Sequence, residues 1–130
     1  MRDDRGGITI FAIGIVVFAL VLVAGLAAAG QVLIARDRVF TAAEAGALAA
    51  APVTFRPFGA SGSAAEEAAK IVRANGARLV KCVCPPNPLY DPRTVTVTAE
   101  VTVGVLGWQE MRLEATAAAE FHPVALLSGN

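Results

Sequence analysis

The sequence is poor in the residue types that build metal sites, disulfide frameworks and basic surfaces. Its 130 residues include one histidine and two cysteines, too few for a four-ligand structural zinc site or a dense set of disulfides. Lysine and arginine number 11, as do aspartate and glutamate, and they form no cluster. These shortages argue against nucleic-acid binding and against a polybasic membrane-surface patch.

Candidate catalytic groups are equally sparse. The chain has no recognisable set of nucleophile, base and orienting group, and it has no glycine-rich phosphate-binding loop. The single histidine, His122, stands before a proline without metal-ligating neighbours, which is typical of a surface residue. We therefore expect no enzymatic activity, no cofactor, no metal and no small-molecule substrate.

Apolar residues are abundant and concentrated near the N-terminus. From Gly6 to Ala35 no residue is charged, and only Thr9 and Gln31 are distinctly polar. The run exceeds the roughly 20 residues that cross a hydrocarbon core about 30 Å thick. It predicts a transmembrane helix over residues 7–35, preceded by a charged leader at 1–6.

A cleavable signal peptide is the first alternative for this run. The apolar region of such a peptide is about 7–15 residues long, and the present run is far longer, although a cut near Ala28 or Ala29 would indicate that type of processing. Arg2 and Arg5 precede the run and Arg36 and Arg38 follow it closely, so the positive-inside rule does not choose an orientation. The short N-terminus favours a cytoplasmic location, with the C-terminal domain exported.

The helical pattern continues beyond the predicted membrane segment. Residues 36–51 are rich in alanine and contain no proline before Pro52, so one helix of about 60 Å is expected, half of it in water. One face of this extension is apolar and needs a covering element; it carries Val39, Phe40, Ala43, Ala47 and Ala50.

Small residues recur in the membrane segment, and such residues let helices approach closely in lipid. They are Gly14, Ala24, Gly25, Ala28 and Ala29. The functional interpretation is a helix that packs against other helices. Glycine and alanine are also common in membrane helices that do not assemble, and this alternative stays open.

The remaining residues predict a small α+β domain. Residues 52–62 are a linker rich in proline, glycine and serine, and 63–130 form the exported domain. A capping box at Ser63 and Glu66 predicts a short helix over 63–75, ending before Gly76.

Alternating patterns predict a sheet in the last third of the chain. Residues 94–103 and 110–121 alternate apolar and polar side chains, with Glu100 on the polar face, and a turn at 106–109 joins them as a hairpin. A third strand is expected at about 77–83. The expected fold is a long transmembrane helix continuing into a small α+β domain with a short helix and a three-stranded antiparallel sheet, packed against the helix extension.

Cys82 and Cys84 are two residues apart, so they share one face of a strand. Their spacing in a strand is near the upper limit for an unstrained disulfide. The alternatives are a disulfide between them, a bond to another chain, and two partly buried thiols; the last is favoured because free cysteine behaves as a small hydrophobe.

A proline-dense loop and a lone tryptophan are the candidate partner-binding residues: Pro85, Pro86, Pro88, Tyr90 and Trp108. A rigid, extended loop can present a docking surface at low entropic cost. A plain connector across the end of the sheet is the alternative for the loop, and a lid on the sheet is the alternative for Trp108.

The order of these segments resembles the TadE-like proteins of tight-adherence (Flp, type IV) pilus systems, especially the shorter actinobacterial type. The resemblance is carried by RGGITIFAIG at 5–14, ARDR at 35–38 and AAEAGALAA at 42–50. It covers the first fifty residues well and the rest only by the order of elements.

The resemblance implies a pilin-like minor component of a pilus or related secretion machine, with other pilin-like subunits as partners. It also implies removal of the leader by a prepilin peptidase between Gly6 and Gly7. Many relatives carry glutamate as the fifth mature residue, where this chain has Phe11. That departure argues against a major filament subunit and leaves an unprocessed membrane anchor that binds a partner protein as the alternative.

Overall fold

A computed structural model describes residues 5–55 and 62–126 of the chain. The α+β architecture predicted from the sequence is confirmed. The elements are helix α1 (Arg5–Val53), helix α2 (Ala64–Ala74), strands β1 (Arg78–Val83), β2 (Arg93–Val105) and β3 (Gln109–Phe121), and a final 3-10 turn (Pro123–Leu126). The predicted leader residues 1–4 and most of the predicted linker, 56–61, lie outside the described residues.

Helix α1 runs without interruption for 49 residues, about 73 Å at 1.5 Å per residue. It extends two residues beyond the predicted end and includes Pro52 in its last turn. A proline there removes one backbone hydrogen bond close to a terminus that would leave carbonyls unpaired anyway. The helix therefore ends one residue after Pro52.

The second half of α1 forms the centre of the hydrophobic core. Its buried residues recur at helical spacing and are mostly alanine, and these small side chains let the sheet and α2 approach the helix closely. They are Ala35, Val39, Ala42, Ala43, Ala47, Ala50 and Ala51. The predicted face was wrong at one position, because Phe40 is 46% exposed. Phe40 follows the fully buried Val39 by about 100° around the helix and lies at the edge of the contact.

Helix α2 begins and ends with the predicted caps. The Ser63 hydroxyl accepts a hydrogen bond from the Glu66 backbone N–H at 3.2 Å, and the Glu66 carboxylate accepts one from the Ser63 N–H at 2.8 Å. Gly76 follows the C-cap at a φ of +77°, which glycine adopts without steric cost. Ala64, Ala68 and Val72 are buried.

The three strands pair antiparallel in the order β1-β2-β3. The apolar face of the hairpin covers α1, with Val95, Val97, Ala99, Ala117 and Ala119 buried. Towards the hairpin loop this face is less covered, and Met111 is 39% exposed. The loop is one residue shorter than predicted, because Gln109 pairs with Val105 in the ladder.

The polar face of β2 contains one nearly buried residue. Glu100 is 6% exposed, although the alternating pattern places it on the polar face with the threonines. Arg78 is its cross-strand neighbour and donates to the carboxylate through Nε at 2.8 Å and through Nη2. The long arginine side chain covers Glu100, and no alternating pattern signals such a contact.

We predict that Arg78→Met destabilises the domain by about 1–3 kcal/mol, because a nearly buried carboxylate loses its donor. Arg78 itself is largely exposed, which keeps the cost below that of a fully buried pair. Urea denaturation followed by circular dichroism measures the change. Lys70→Met is the matched control: Lys70 and Glu67 form an exposed pair at 3.8 Å, and its loss should cost about 0.5 kcal/mol or less. Equal effects of the two variants would contradict the prediction.

Candidate functional site

The described residues offer surfaces rather than a chemical centre. Within residues 5–55 and 62–126, no three His, Cys, Asp or Glu side chains are grouped so that they could hold a metal ion. His122 faces Glu120 at 3.0 Å, and both side chains are more than half exposed. The candidate functional features are therefore the apolar half of α1, the disulfide region and the two ends of the sheet.

The first half of α1 is a fully exposed apolar cylinder. Residues 7–27 are all exposed, and the large side chains among them include Ile8, Phe11, Phe18 and Leu22. By length and composition this helix can cross a membrane. Apolar surface on every side of a helix is stable only in lipid or against other apolar helices, so this segment has the properties of a membrane anchor.

Within the part of the chain that the structure describes, the predicted packing residues of α1 are exposed, with one exception. A Cβ placed on Gly14 or Gly25 would have no neighbour within 4 Å, and Ala24 and Ala29 are exposed. Ala28 is half-buried where the helix enters the domain. Their role in contacts with other helices stays a prediction.

The predicted cleavage residues lie in the first turn of α1. Gly7 is exposed and has open space around its Cα, and Phe11, one turn later, is 72% exposed. Both belong to the anchor surface. Cleavage between Gly6 and Gly7 stays a prediction.

Cys82 and Cys84 form a disulfide with a Cα–Cα distance of 5.4 Å. The sequence favoured two partly buried thiols because free cysteine behaves as a small hydrophobe, with a disulfide as an open alternative near the upper limit of spacing. Cys84 lies just after the end of β1, where the chain leaves the strand conformation and the two Cα atoms come closer. Both side chains are half-buried against the core.

We predict that the protein purified without reductant resists thiol alkylation and is labelled at two sites only after reduction. The closed loop is very short, so Cys84→Ser should cost no more than about 1.5 kcal/mol of stability. The same variant should make Cys82 reactive without reductant, which intact-mass spectrometry detects as one added label. Double labelling of the unreduced wild type would indicate two free thiols.

The proline-dense loop is held at the end of the domain where α1 ends. The guanidinium of Arg93 donates to the backbone carbonyls of Asn87 and Leu89. The Asn87 backbone N–H donates to the Thr54 carbonyl at 2.9 Å, which ties the loop to the end of α1. Leu89 and Tyr90 remain 59% and 51% exposed. The loop therefore serves as the predicted connector and also exposes Leu89 and Tyr90 to solvent.

Trp108 lies at the opposite end of the sheet. The loop between β2 and β3 reaches back along α1 until the Leu106 backbone N–H donates to the Gln31 Oε1 at 3.4 Å. Strand β2 separates the two ends by 13 residues, about 40 Å. The five predicted partner residues therefore belong to two separate surfaces, with Trp108 alone at the end near the anchor.

Three residues that organise these surfaces were not predicted from the sequence to do so: Gln31, Phe55 and Arg93. Phe55 is 2% exposed, with the Tyr90 ring 5.1 Å away edge-on and the Arg93 guanidinium 5.6 Å above it. Gln31 is the α1 residue that accepts a hydrogen bond from the loop between β2 and β3. Gln31 had one signal, being one of two polar residues in the apolar run, whereas Phe55 and Arg93 had none because their partners are distant in sequence.

Comparison with known protein families gives a match to the segment that forms α1. The family model described as "Putative Flp pilus-assembly TadE/G-like" matches residues 6–53, almost the bounds of α1. No curated protein and no solved structure matches the chain. The family match confirms the TadE-like resemblance predicted from the N-terminal sequence.

Proposed function

We propose that this protein is a membrane-anchored, pilin-like minor subunit of a tight-adherence pilus or a related secretion machine, because its residues 6–53 match the TadE/G-like family model of Flp pilus assembly. One observation carries the proposal. A single helix serves as an exposed apolar anchor over residues 7–27 and as the core of a small domain from Ala35 onwards. Such a helix couples the position of the domain to packing in the membrane.

The proposed role is structural and not enzymatic. The anchor assembles laterally with the helices of other pilin-like subunits through its small residues, Gly14 and Gly25 among them, because small side chains permit close backbone approach. The domain formed by residues 63–130 presents its surfaces outside the cytoplasm. Helix α1 runs unbroken between the two parts, so a contact in the membrane determines where the domain stands.

We further propose that a prepilin peptidase cuts between Gly6 and Gly7 on the cytoplasmic side. The sequence before the cut contains two arginines and two aspartates, and charges of this kind resist withdrawal from the aqueous face of the membrane. After cleavage the chain would begin with the apolar helix, which is then free to move and pack at its N-terminal end.

Phe11 favours a minor subunit over a filament-forming one. A carboxylate at that depth in the membrane requires a partner, and a phenylalanine neither requires nor supplies one. The second candidate, a permanently anchored protein that holds a partner through its exported domain, is favoured by this same residue.

The test is the intact mass of the protein recovered from membranes, with and without the prepilin peptidase of the same system. We expect the chain to begin at Gly7 only when the peptidase is present, and we expect Gly6→Leu to abolish the cut. Gly30→Ala, a change in the same helix far from the cut, should leave cleavage intact. An uncut wild-type chain would indicate the permanent anchor, and a new N-terminus near Ala28 or Ala29 would indicate a signal peptide.

Recovery in sheared filaments separates the remaining alternatives once cleavage is known. A minor subunit should be present in the filament fraction at a low ratio to the main pilin. A cleaved chain that stays entirely in the membrane fraction would contradict incorporation into the filament.

A further inference from the structure

The loop between β2 and β3 exposes apolar side chains at the end of the sheet nearest the anchor. Trp108 is 88% exposed and Leu106 is 46% exposed. Leu106 also has a φ of +52°, a conformation that favours glycine or asparagine and is costly for leucine. The cost of that φ is steric and the same in any solvent, whereas the exposure of two large apolar side chains is unfavourable in water and indicates a less polar environment for the loop.

The position of this loop along α1 corresponds to a membrane surface. A hydrocarbon core about 30 Å thick takes up roughly 20 residues of helix, and the uncharged run begins at Gly6. The run continues to Ala35, but the continuously exposed segment ends at residue 27; a core placed on that segment ends a few residues before Gln31, and the first charge beyond it is Arg36. Since Leu106 donates to Gln31, the loop stands at the level of the lipid headgroups.

The residues of the loop have the chemistry of that layer. Tryptophan is enriched at membrane interfaces because its ring is apolar while its indole N–H needs a polar partner. Further up β3, Glu110 and Arg112 are both exposed, and a charge is costly in the hydrocarbon core. These two residues limit any insertion to the loop itself, residues 106–108.

We propose that the loop 106–108 inserts into the interfacial layer of the bilayer that α1 spans, with Trp108 as the anchoring side chain. The loop is a second attachment point, and it holds the hairpin against the membrane instead of leaving the domain attached by the helix alone. The proposal rests on the membrane anchorage in the proposed function. It specifies a lipid contact and not a protein contact for the surface around Trp108.

Trp108 is the only tryptophan of the chain, so its fluorescence tests the proposal directly. The full-length protein is reconstituted into phosphatidylcholine vesicles, and vesicle flotation first establishes that it is anchored. We expect blue-shifted emission, strong quenching by lipids brominated near the glycerol backbone, weaker quenching by lipids brominated near the chain ends, and weak quenching by aqueous acrylamide.

The matched control moves the single tryptophan to the other end of the sheet. In the double variant Trp108→Phe, Tyr90→Trp, the new ring lies beside Phe55, 24 residues beyond Gln31 along the chain and on the order of 35 Å from the interface. It should be quenched by acrylamide and not by brominated lipid. The ratio of the two quenching constants should differ severalfold between the proteins.

Each other outcome overturns a specific part of the proposal. If the wild type floats with vesicles but acrylamide quenches Trp108 as strongly as it quenches the control, the loop is in water and the anchor alone stands. If neither quencher reaches Trp108, the residue is buried in a contact between protein chains, and the lipid contact is wrong. If the protein does not float, the membrane anchorage on which the proposal rests fails as well.

Discussion

Gly46→Leu is expected to abolish the packing of the domain on α1 while leaving the anchor able to insert. Even a Cβ atom at Gly46 would lie 2.6 Å from the Cγ2 of Val72 and 3.3 Å from the Cγ1 of Val97. Both valines are fully buried, so neither can move into free space. Overpacking of a core costs about 1–3 kcal/mol and occasionally more, and the four added carbons of leucine place this change at the upper end, a large share of the stability of a small domain.

Hydrogen exchange of the β2 amides in mild detergent measures this loss, because these amides exchange only when the domain opens. Gly30→Leu is the matched control: it makes the same change in the same helix at a site where a Cβ meets nothing within 4 Å. We expect protection at Val95 and Val97 to fall sharply in the first variant and to stay near the wild-type level in the second. Unchanged protection in Gly46→Leu would mean that α2 and the sheet do not pack on α1 as described.

Phe55→Ala is expected to cost about 3–5 kcal/mol, the usual range for removing a buried aromatic side chain. The ring contacts three groups from other parts of the chain: the Tyr90 ring at 5.1 Å, the Phe121 ring at 6.4 Å and the Arg93 guanidinium at 5.6 Å. Removing it opens a cavity where the end of α1, the proline-dense loop and the end of β3 meet. Release of the loop should accompany the loss of stability.

Two measurements separate local from global effects of Phe55→Ala. Urea denaturation gives the free energy of unfolding, and limited proteolysis reports cleavage in the loop, residues 85–92. Phe40→Ala is the matched control, because Phe40 is 46% exposed and its removal should cost about 1 kcal/mol or less. Similar losses in both variants, or a loop that stays resistant to protease in Phe55→Ala, would contradict the role assigned to Phe55.

Local signals were sufficient for the elements of this fold. The uncharged run, the alanine-rich extension, the capping box at Ser63 and the alternation in β2 and β3 each depend on neighbours within a few residues. The helices and strands expected from them are present, with bounds that differ by only a few residues. The family resemblance is likewise confined to the segment that the family model matches, residues 6–53.

These local signals did not predict how individual side chains pack. The burial of Glu100 depends on Arg78, 22 residues away, and the exposure of Phe40 depends on where the sheet stops covering α1. The division of the predicted partner residues into two surfaces depends on the direction in which the hairpin lies along the helix. None of these leaves a periodic trace in the sequence.

By itself, the sequence determined the long apolar helix, the type of each element and the resemblance of residues 6–53 to a pilus-assembly family, because hydropathy, capping and alternation act over short distances. Only the tertiary structure decided that the loop between β2 and β3 lies at Gln31 of α1, that Phe55 joins three segments, and that Cys82 bonds Cys84 where the strand ends. The physical reason is that these features depend on how preformed elements pack, and packing is set by side-chain shapes that meet across long separations in the chain.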